Sequence, residues 1–269
     1  MGLHHGPKRV IMRRFFVEGP IDPGGPCVVS GSEARHMVKV LRLGPGDRCI
    51  LMDEEGARFA CLIESANRQD VKLIIESRLP SPPPSPVEII LCQAVLKPGP
   101  MDFVVQKASE LGVDQIHPFF SRRTVVHLDG KACSNRLRHW QEIGKAAAKQ
   151  AGRRIPAQVV LPCPFNELIS RWQEASGLKT IFWEAEETQD LKTLLKDSKD
   201  REKFIGIIGP EGGFPAEEIE TAKKAGFVPV SLGNRILRSE TAALALTAVV
   251  QYEWGDLTLQ PWLSSRKDP

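Results

Sequence analysis

From Arg13 to about Leu79 the apolar residues come in short runs, Phe15-Phe16-Val17, Cys27-Val28-Val29, Cys49-Ile50-Leu51-Met52, Phe59 to Ile63 and Val71 to Ile75. Gly and Pro turns separate them, a spacing that predicts a small β-barrel or sandwich. One segment breaks the pattern. Ser32 to Arg42 has helical spacing, with Ser32 in a cap-like position and Met37, Val40 and Leu41 on one face, leaving Arg35, Lys39 and Arg42 largely elsewhere. Pro80-Ser81-Pro82-Pro83-Pro84-Ser85-Pro86 then lacks the amide donors and the free φ that a sheet or helix needs. It predicts a linker over residues 80–86, between a first domain at 13–79 and a second at 87–257.

Beyond the linker the rhythm becomes strands alternating with helices, which predicts an α/β domain with a mostly parallel sheet. Strands are expected at Val87 to Val95, Ile116 to Phe120, Val159 to Leu161, Thr180 to Trp183, Phe204 to Ile208 and Phe227 to Leu232. Met101, Val104, Val105, Ala108 and Leu111 recur at helical spacing before Gly112. Leu137, Trp140, Gly144, Ala147, Ala148 and Ala151 do the same before Gly152. Shorter helices are expected around Leu168 to Ala175, Leu191 to Leu195 and Ala216 to Ala225. The last helix, Ser239 to about Trp254, is apolar on almost every side, so a second copy of the chain is its natural cover.

Composition adds little to this and excludes some classes. The 269 residues are 42% hydrophobic, enough for a full core, and the net charge of +3 creates no global basic field. Six scattered cysteines without metal-binding spacing read as reduced thiols in a cytoplasmic protein with no metal. No apolar run reaches membrane-spanning length, and the N-terminus lacks the apolar region of a signal peptide. Met1 to Ile11 read as an extension before a more natural start at Met12. Basic residues do cluster locally: Arg13, Arg14, Arg35, Lys39 and Arg42 in the first domain, and Lys97, Arg122, Arg123, Lys149, Arg153 and Arg154 in the second. A charge run is usually a solvated face, but clusters in two domains suit a phosphate backbone gripped at two places.

The candidate chemistry lies near the C-terminus. Ile205 to Ile208 runs into Gly209-Pro210-Glu211-Gly212-Gly213-Phe214, and Phe227 to Leu232 runs into Gly233-Asn234-Arg235-Ile236-Leu237-Arg238. Two strands, each ending in a glycine-containing turn that opens a helix, make one pocket at the carboxyl edge of a parallel sheet. On this reading Gly213 leaves room for a ligand at the backbone. Glu184, after Trp183, ends another strand and faces the same pocket. Ser239 reads as the N-cap of the last helix, flanked by Arg238 and Glu240, which either carry chemistry or simply complement the helix dipole and form a salt bridge. Neither a phosphate-binding P-loop nor the nicotinamide GxGxxG pattern is present.

Several separated motifs carry a family resemblance: Met12-Arg13-Arg14-Phe15-Phe16-Val17, His36-Met37-Val38-Lys39-Val40-Leu41-Arg42, Gln106-Lys107-Ala108-Ser109-Glu110-Leu111-Gly112, Gln150-Ala151-Gly152-Arg153-Arg154-Ile155-Pro156, and the two glycine turns, the second extending through Ser239-Glu240-Thr241-Ala242. On these, the chain from Arg13 to about Trp254 resembles the RsmE-type 16S ribosomal RNA (uracil-N3)-methyltransferases of the SPOUT class. Lys97-Pro98-Gly99-Pro100-Met101 departs from the usual Lys-Gly-Asp-Arg-Met of that family. The resemblance implies a PUA-like RNA-binding barrel at 13–79 and a trefoil-knotted methyltransferase domain at 87–257 that forms a homodimer. It implies S-adenosylmethionine held by Ile208, Gly209, Pro210, Gly212 and Gly213 from the first turn, by Leu232, Gly233, Ile236, Leu237 and Arg238 from the second, and by Glu184, Thr241 and Ala242. Its substrate is 16S ribosomal RNA of the small subunit. Arg238 is then the candidate for stabilising a uridine anion, and Glu240 for accepting its proton or orienting Arg238. An RNA-binding assembly factor, or a methyltransferase acting on a ribose hydroxyl or another base, stay open on sequence alone.

Overall fold

The computed structural model describes residues 12–17 and 19–258. Met1 to Ile11, the expected extension, lie outside them. The chain forms two compact units that part between Pro83 and Pro84.

The first unit contains β1 (Arg13–Phe16), β2 (Cys27–Ser30), α1 (Gly31–Arg35), β3 (Arg48–Met52), β4 (Arg58–Ala66) and β5 (Asp70–Leu79). They form one sheet in the order β1-β3-β4-β5-β2, with β1 parallel to β3 and the other pairs antiparallel. Alternation along the strands sends Phe15, Val29, Leu51, Phe59, Ile63, Val71 and Leu73 into one core. Burial pushes the thiols of Cys49 and Cys61 up to about 12, so both stay protonated at neutral pH.

The helical segment here differs from the expected one. Ser30, not Ser32, stands at the N-cap, and its hydroxyl donates to Asp70 Oδ1 at 2.7 Å rather than capping the helix. After Arg35 the helix widens over His36–Val40, where the Leu41 amide reaches back five residues to the His36 carbonyl at 3.0 Å. The wider turn breaks the 3.6-residue stepping. Met37 stays buried and Leu41 half-buried, but Val40 turns out to 69% exposure.

The second unit contains β6 (Glu88–Ala94), α2 (Pro98–Glu110), β7 (Gln115–Phe120), α3 (Gly130–Ala151), β8 (Gln158–Val159), β9 (Cys163–Pro164), α4 (Phe165–Trp172), β10 (Leu178–Phe182), α5 (Leu191–Asp197), β11 (Lys203–Ile208), α6 (Ala216–Lys224), β12 (Val228–Val230) and α7 (Ser239–Glu253). The sheet order is β12-β10-β11-β6-β7-β8 with β9 beside β7, and every pairing is parallel. All strands therefore end on one edge.

Period-two alternation serves both faces of this sheet. Ile89 and Leu91 of β6 with Phe204 of β11 pack under α2, α3 and α7, while Ile90, Cys92, Ile205 and Ile207 pack against α4 and α6. A Cβ at Gly206 would lie 2.6 Å from Leu246 Cδ2, so the missing side chain lets α7 settle directly on β11. α7 buries Ala243, Leu246 and Val250 against this sheet and leaves Thr241, Val249 and Tyr252 exposed, Tyr252 at 73%. Its apolar character all round is thus half used within one chain.

His117 on β7 is buried with its ring edge-on to Trp172 at 5.0 Å. Its Nδ1 accepts from Arg171 Nη1 at 3.3 Å, and its Nε2 pairs with Gln115 Oε1 at 3.0 Å, which requires a neutral ring. Desolvation, helped by the Arg171 charge, pulls its pKa down from 6.5 to about 4. The unfolded chain therefore binds this proton first as pH falls, so stability is full above about 6.5 and lost progressively toward 4. His117→Gln is expected to flatten that stretch of a urea-midpoint against pH curve, and an unchanged slope would contradict the assignment.

Candidate active site

The carboxyl edge of the second unit carries the two turns. β11 ends at buried Ile208, and Gly209 to Gly213 close a turn through the Gly213 amide and the Pro210 carbonyl at 2.9 Å. Gly213 takes φ 67°, a left-handed conformation that favours glycine, and a side chain there would overlap the carboxylate of Glu184 from the end of β10. At Gly209 an added Cβ would meet the Phe214 ring at 2.8 Å. That ring stacks on Phe119 and packs on Phe165. The nearest neighbours of a side chain at Gly209 and Gly213 are thus the Phe214 ring and the movable end of the Glu184 side chain. An added Cβ at Gly212 would make ordinary contact with Arg123 Cβ at 3.5 Å, whereas Gly233, at φ 98°, has nothing within 4 Å of a built Cβ.

The second turn is pinned at its start, where Ser231 bridges Asp190 and its hydroxyl accepts the Gly233 amide at 3.2 Å. Leu232 and Leu237 are half-buried against the cluster that contains Ile208 and Ala242, which backs the turn with apolar side chains. Ile236 beside them is 91% exposed.

Ser239 does not cap α7. Arg238 occupies the N-cap position with extended backbone, and Ser239 is the buried first helical residue. Its hydroxyl donates to the Gly209 carbonyl and accepts from Gln93 Nε2 at 2.9 Å, while the other Nε2 proton of Gln93 goes to the Ala94 carbonyl at 3.0 Å. This chain ties the end of β6, the first turn and the start of α7 into one unit. Gln93 was missed by sequence reasoning, although an amide inside the apolar run Val87 to Val95 was a legible signal. Arg238 and Thr241 remain exposed at the mouth and Glu240 half-exposed, with Glu240 in the first turn of the helix.

The candidate RNA residues are less uniform. Arg13, Arg35, Lys39 and Arg42 are exposed on the first unit and Arg14 is half-buried there. In the second unit, Lys97 is exposed at the N-cap of α2, where Pro98 opens the helix at a position that needs no amide donor. Lys149 and Arg154 are half-buried. Arg122 and Arg123 lie exposed on the loop after β7. Arg122 pairs with Glu217 at 2.7 Å, and Arg123 Nη1 donates to the Gly212 carbonyl at 2.9 Å, which brings this loop onto the first glycine turn.

Arg153 requires a correction. Its side chain is only 16% exposed, and its guanidinium donates to the carbonyls of Ser109, Gly112 and Val113 and contacts Asp114 at 3.4 Å. Those groups lie where α2 runs into β7, at the amino edge of the sheet and away from the pocket. The basic sequence run concealed a buried staple.

Among the described residues no helix is long and apolar enough to cross a membrane, and no group of three His, Cys, Asp or Glu is placed to hold a metal.

A parallel sheet covered on both faces, with paired glycine turns at its carboxyl edge and a small β unit before it, has the make-up of an RNA methyltransferase. Residues 83–251 match the RNA methyltransferase domain and residues 29–76 the RNA methyltransferase PUA domain. The chain is 31% identical over 238 residues to ribosomal RNA small subunit methyltransferase E of Mycobacterium bovis, covering 87% of this chain and 90% of that one. The crystal structure of the Neisseria gonorrhoeae enzyme of that name bound to S-adenosyl methionine is 32% identical with a TM-score of 0.83, covering 92% of this chain and 100% of that chain. A Legionella pneumophila methyltransferase in complex with SAM gives the same identity, TM-score and coverage. The chain belongs to the ribosomal RNA small subunit methyltransferase E family. The fold class read from the sequence, a SPOUT-type α/β methyltransferase domain after a PUA-like β unit, is the one found.

Proposed function

We propose that this chain methylates N3 of a uridine in 16S ribosomal RNA, with S-adenosylmethionine as methyl donor. The observation that carries the reading is the hydroxyl of Ser239, which binds the Gly209 carbonyl and so ties the first turn to the helix that the second turn opens. The residues present fit that cofactor. Ile208, Leu232, Leu237 and Ala242 offer an apolar floor, and open space at Gly233 admits a group against the backbone. Gly209, Pro210, Gly212 and Gly213 would line one side, Ile236, Arg238 and Thr241 the other, with the Glu184 carboxylate at the first turn. When bound, S-adenosylmethionine supplies an electrophilic methyl group on a sulfonium.

The chain's own task is to make a poor nucleophile competent. Uridine N3 carries a proton and must shed it, leaving negative charge on the imide. Arg238, fixed at the positive end of α7, stabilises that charge, and Glu240 accepts the proton or orients Arg238. RNA is held by Arg13, Arg14, Arg35, Lys39 and Arg42 of a PUA-like barrel at 13–79, and by Lys97, Arg122, Arg123, Lys149 and Arg154 of a knotted domain at 87–257. Residues 80–86 act as the linker. The open face of α7 at Val249 and Tyr252 supports a homodimer, and the reduced cysteines suit the cytoplasm.

Nucleoside mass spectrometry of 16S RNA tests the reading. A strain lacking the protein should lose N3-methyluridine and regain it on complementation. Loss of a different methylated nucleoside, or of none, would refute it.

A further inference from the structure

We infer that a cleft beside the glycine turn seats the acceptor nucleotide, a single unstacked pyrimidine of the RNA with its base inward and its phosphate at the rim. The inference rests on the methyltransferase reading and extends it to a second subsite. The cleft, about 480 Å³, opens just after β7 and is lined by the segment from Phe120 to Asp129. That volume falls within the roughly 300–1,000 Å³ of small-ligand sites. It lies at the carboxyl edge of the sheet, where parallel sheets bind ligands, and β7 neighbours β6, whose end carries Gln93.

The cleft is built before any ligand arrives. Glu218, in the first turn of α6, accepts the Ser121 hydroxyl at 2.7 Å and the Arg122 amide at 2.9 Å. The Ser121 amide donates to Thr124 Oγ1 at 3.0 Å, and the Thr124 amide returns to the Ser121 carbonyl at 3.0 Å. Arg123 then joins this loop to the Gly212 carbonyl. The loop that forms the cleft is thereby tied to the turn that we assign to the methyl donor, which suits a reaction between two bound partners.

Its chemistry suits a pyrimidine. Phe120, Val126 and Leu128 pack on the main core cluster and give fixed apolar walls for a flat ring. The buried Thr124 hydroxyl accepts from Ser121 and keeps its own proton as a donor to a ring carbonyl. Arg122 waits at the rim paired with Glu217, both about three-quarters exposed, a pairing weak enough for a phosphate to replace. The Asp129 carboxylate in the lining keeps its charge but is held at the start of α3, where it accepts from the Ala132 amide.

Two experiments decide it. Small-subunit RNA substituted with 4-thiouridine is photocrosslinked to the full chain, and the attached peptides are mapped by mass spectrometry. Crosslinks within 120–129 are expected, and crosslinks confined to other segments would overturn the inference. In parallel, Val126→Trp fills the cleft with an indole. Methyl transfer should fall at least tenfold, with S-adenosylmethionine affinity within about twofold of the unaltered protein, and His127→Trp at an exposed lining position does the same if the first variant misfolds. Normal methyl transfer in a folded variant would overturn the seat. If the unaltered protein neither binds the cofactor nor methylates RNA, the methyltransferase reading falls instead, and the crosslinks alone still decide where RNA sits.

Discussion

Arg238→Ala is expected to bind S-adenosylmethionine nearly normally and to lose methyl transfer by roughly a hundredfold or more, about 2.7 kcal/mol. The size follows from position. Arg238 is the N-cap of α7, its side chain is exposed at the pocket mouth, and the next residue anchors the first turn through Gly209. Backbone placement therefore survives the substitution while the charge disappears. Arg238→Lys should recover little, because a point charge cannot reproduce the planar fork. Single-turnover methylation at saturating cofactor is the measurement, and full activity in Arg238→Ala would refute the catalytic role.

Arg153→Ala is expected to cost about 3 kcal/mol of stability, as removing one partner of a buried, hydrogen-bonded charge does. Three backbone carbonyls and Asp114 lose their donor together. Asp114 itself holds the Ile89 amide at 2.9 Å, so the loss also reaches the start of β6. Desolvation lowers the Arg153 pKa and raises that of Asp114, whose side chain is 36% exposed against 16% for Arg153. Urea unfolding should show the loss at pH 7, while the salt dependence of RNA binding, taken on the folded fraction, stays unchanged. A flatter salt slope with full stability would restore Arg153 to the RNA surface.

What the sequence disclosed was whatever repeats locally. Alternation in β6 and β11, the 3.6-residue recurrence of Met101, Val104, Val105 and Ala108, and glycines after a strand all act over a few residues, so a linear reading finds them. What it hid depends on partners far along the chain. Ser239 looked like a cap until Gly209 and Gln93 came beside it, and the closest neighbour of Gly213 is Glu184 from another strand. Val40 misled for a different reason: one wide turn shifted the helical phase without a proline or glycine to announce it. Arg153 looks like any member of a basic run in sequence, yet its guanidinium reaches into the carbonyls after α2.

The parallel pairing of β6 with β11 also bears on how the chain is made. Ile89 sits opposite Phe204, whereas β3, β4 and β5 of the first unit pair through short connections. The first unit has its sheet partners in hand once Leu79 has emerged from the ribosome. β6 does not: β7 follows soon on one side, but at about 5–20 residues per second its other partner, β11, arrives on the order of ten seconds later. Through that interval a strand apolar on both faces presents an unpaired edge, the kind that recruits other chains. The most vulnerable moment for this protein thus falls during its own synthesis, and a pause before Lys203 prolongs it.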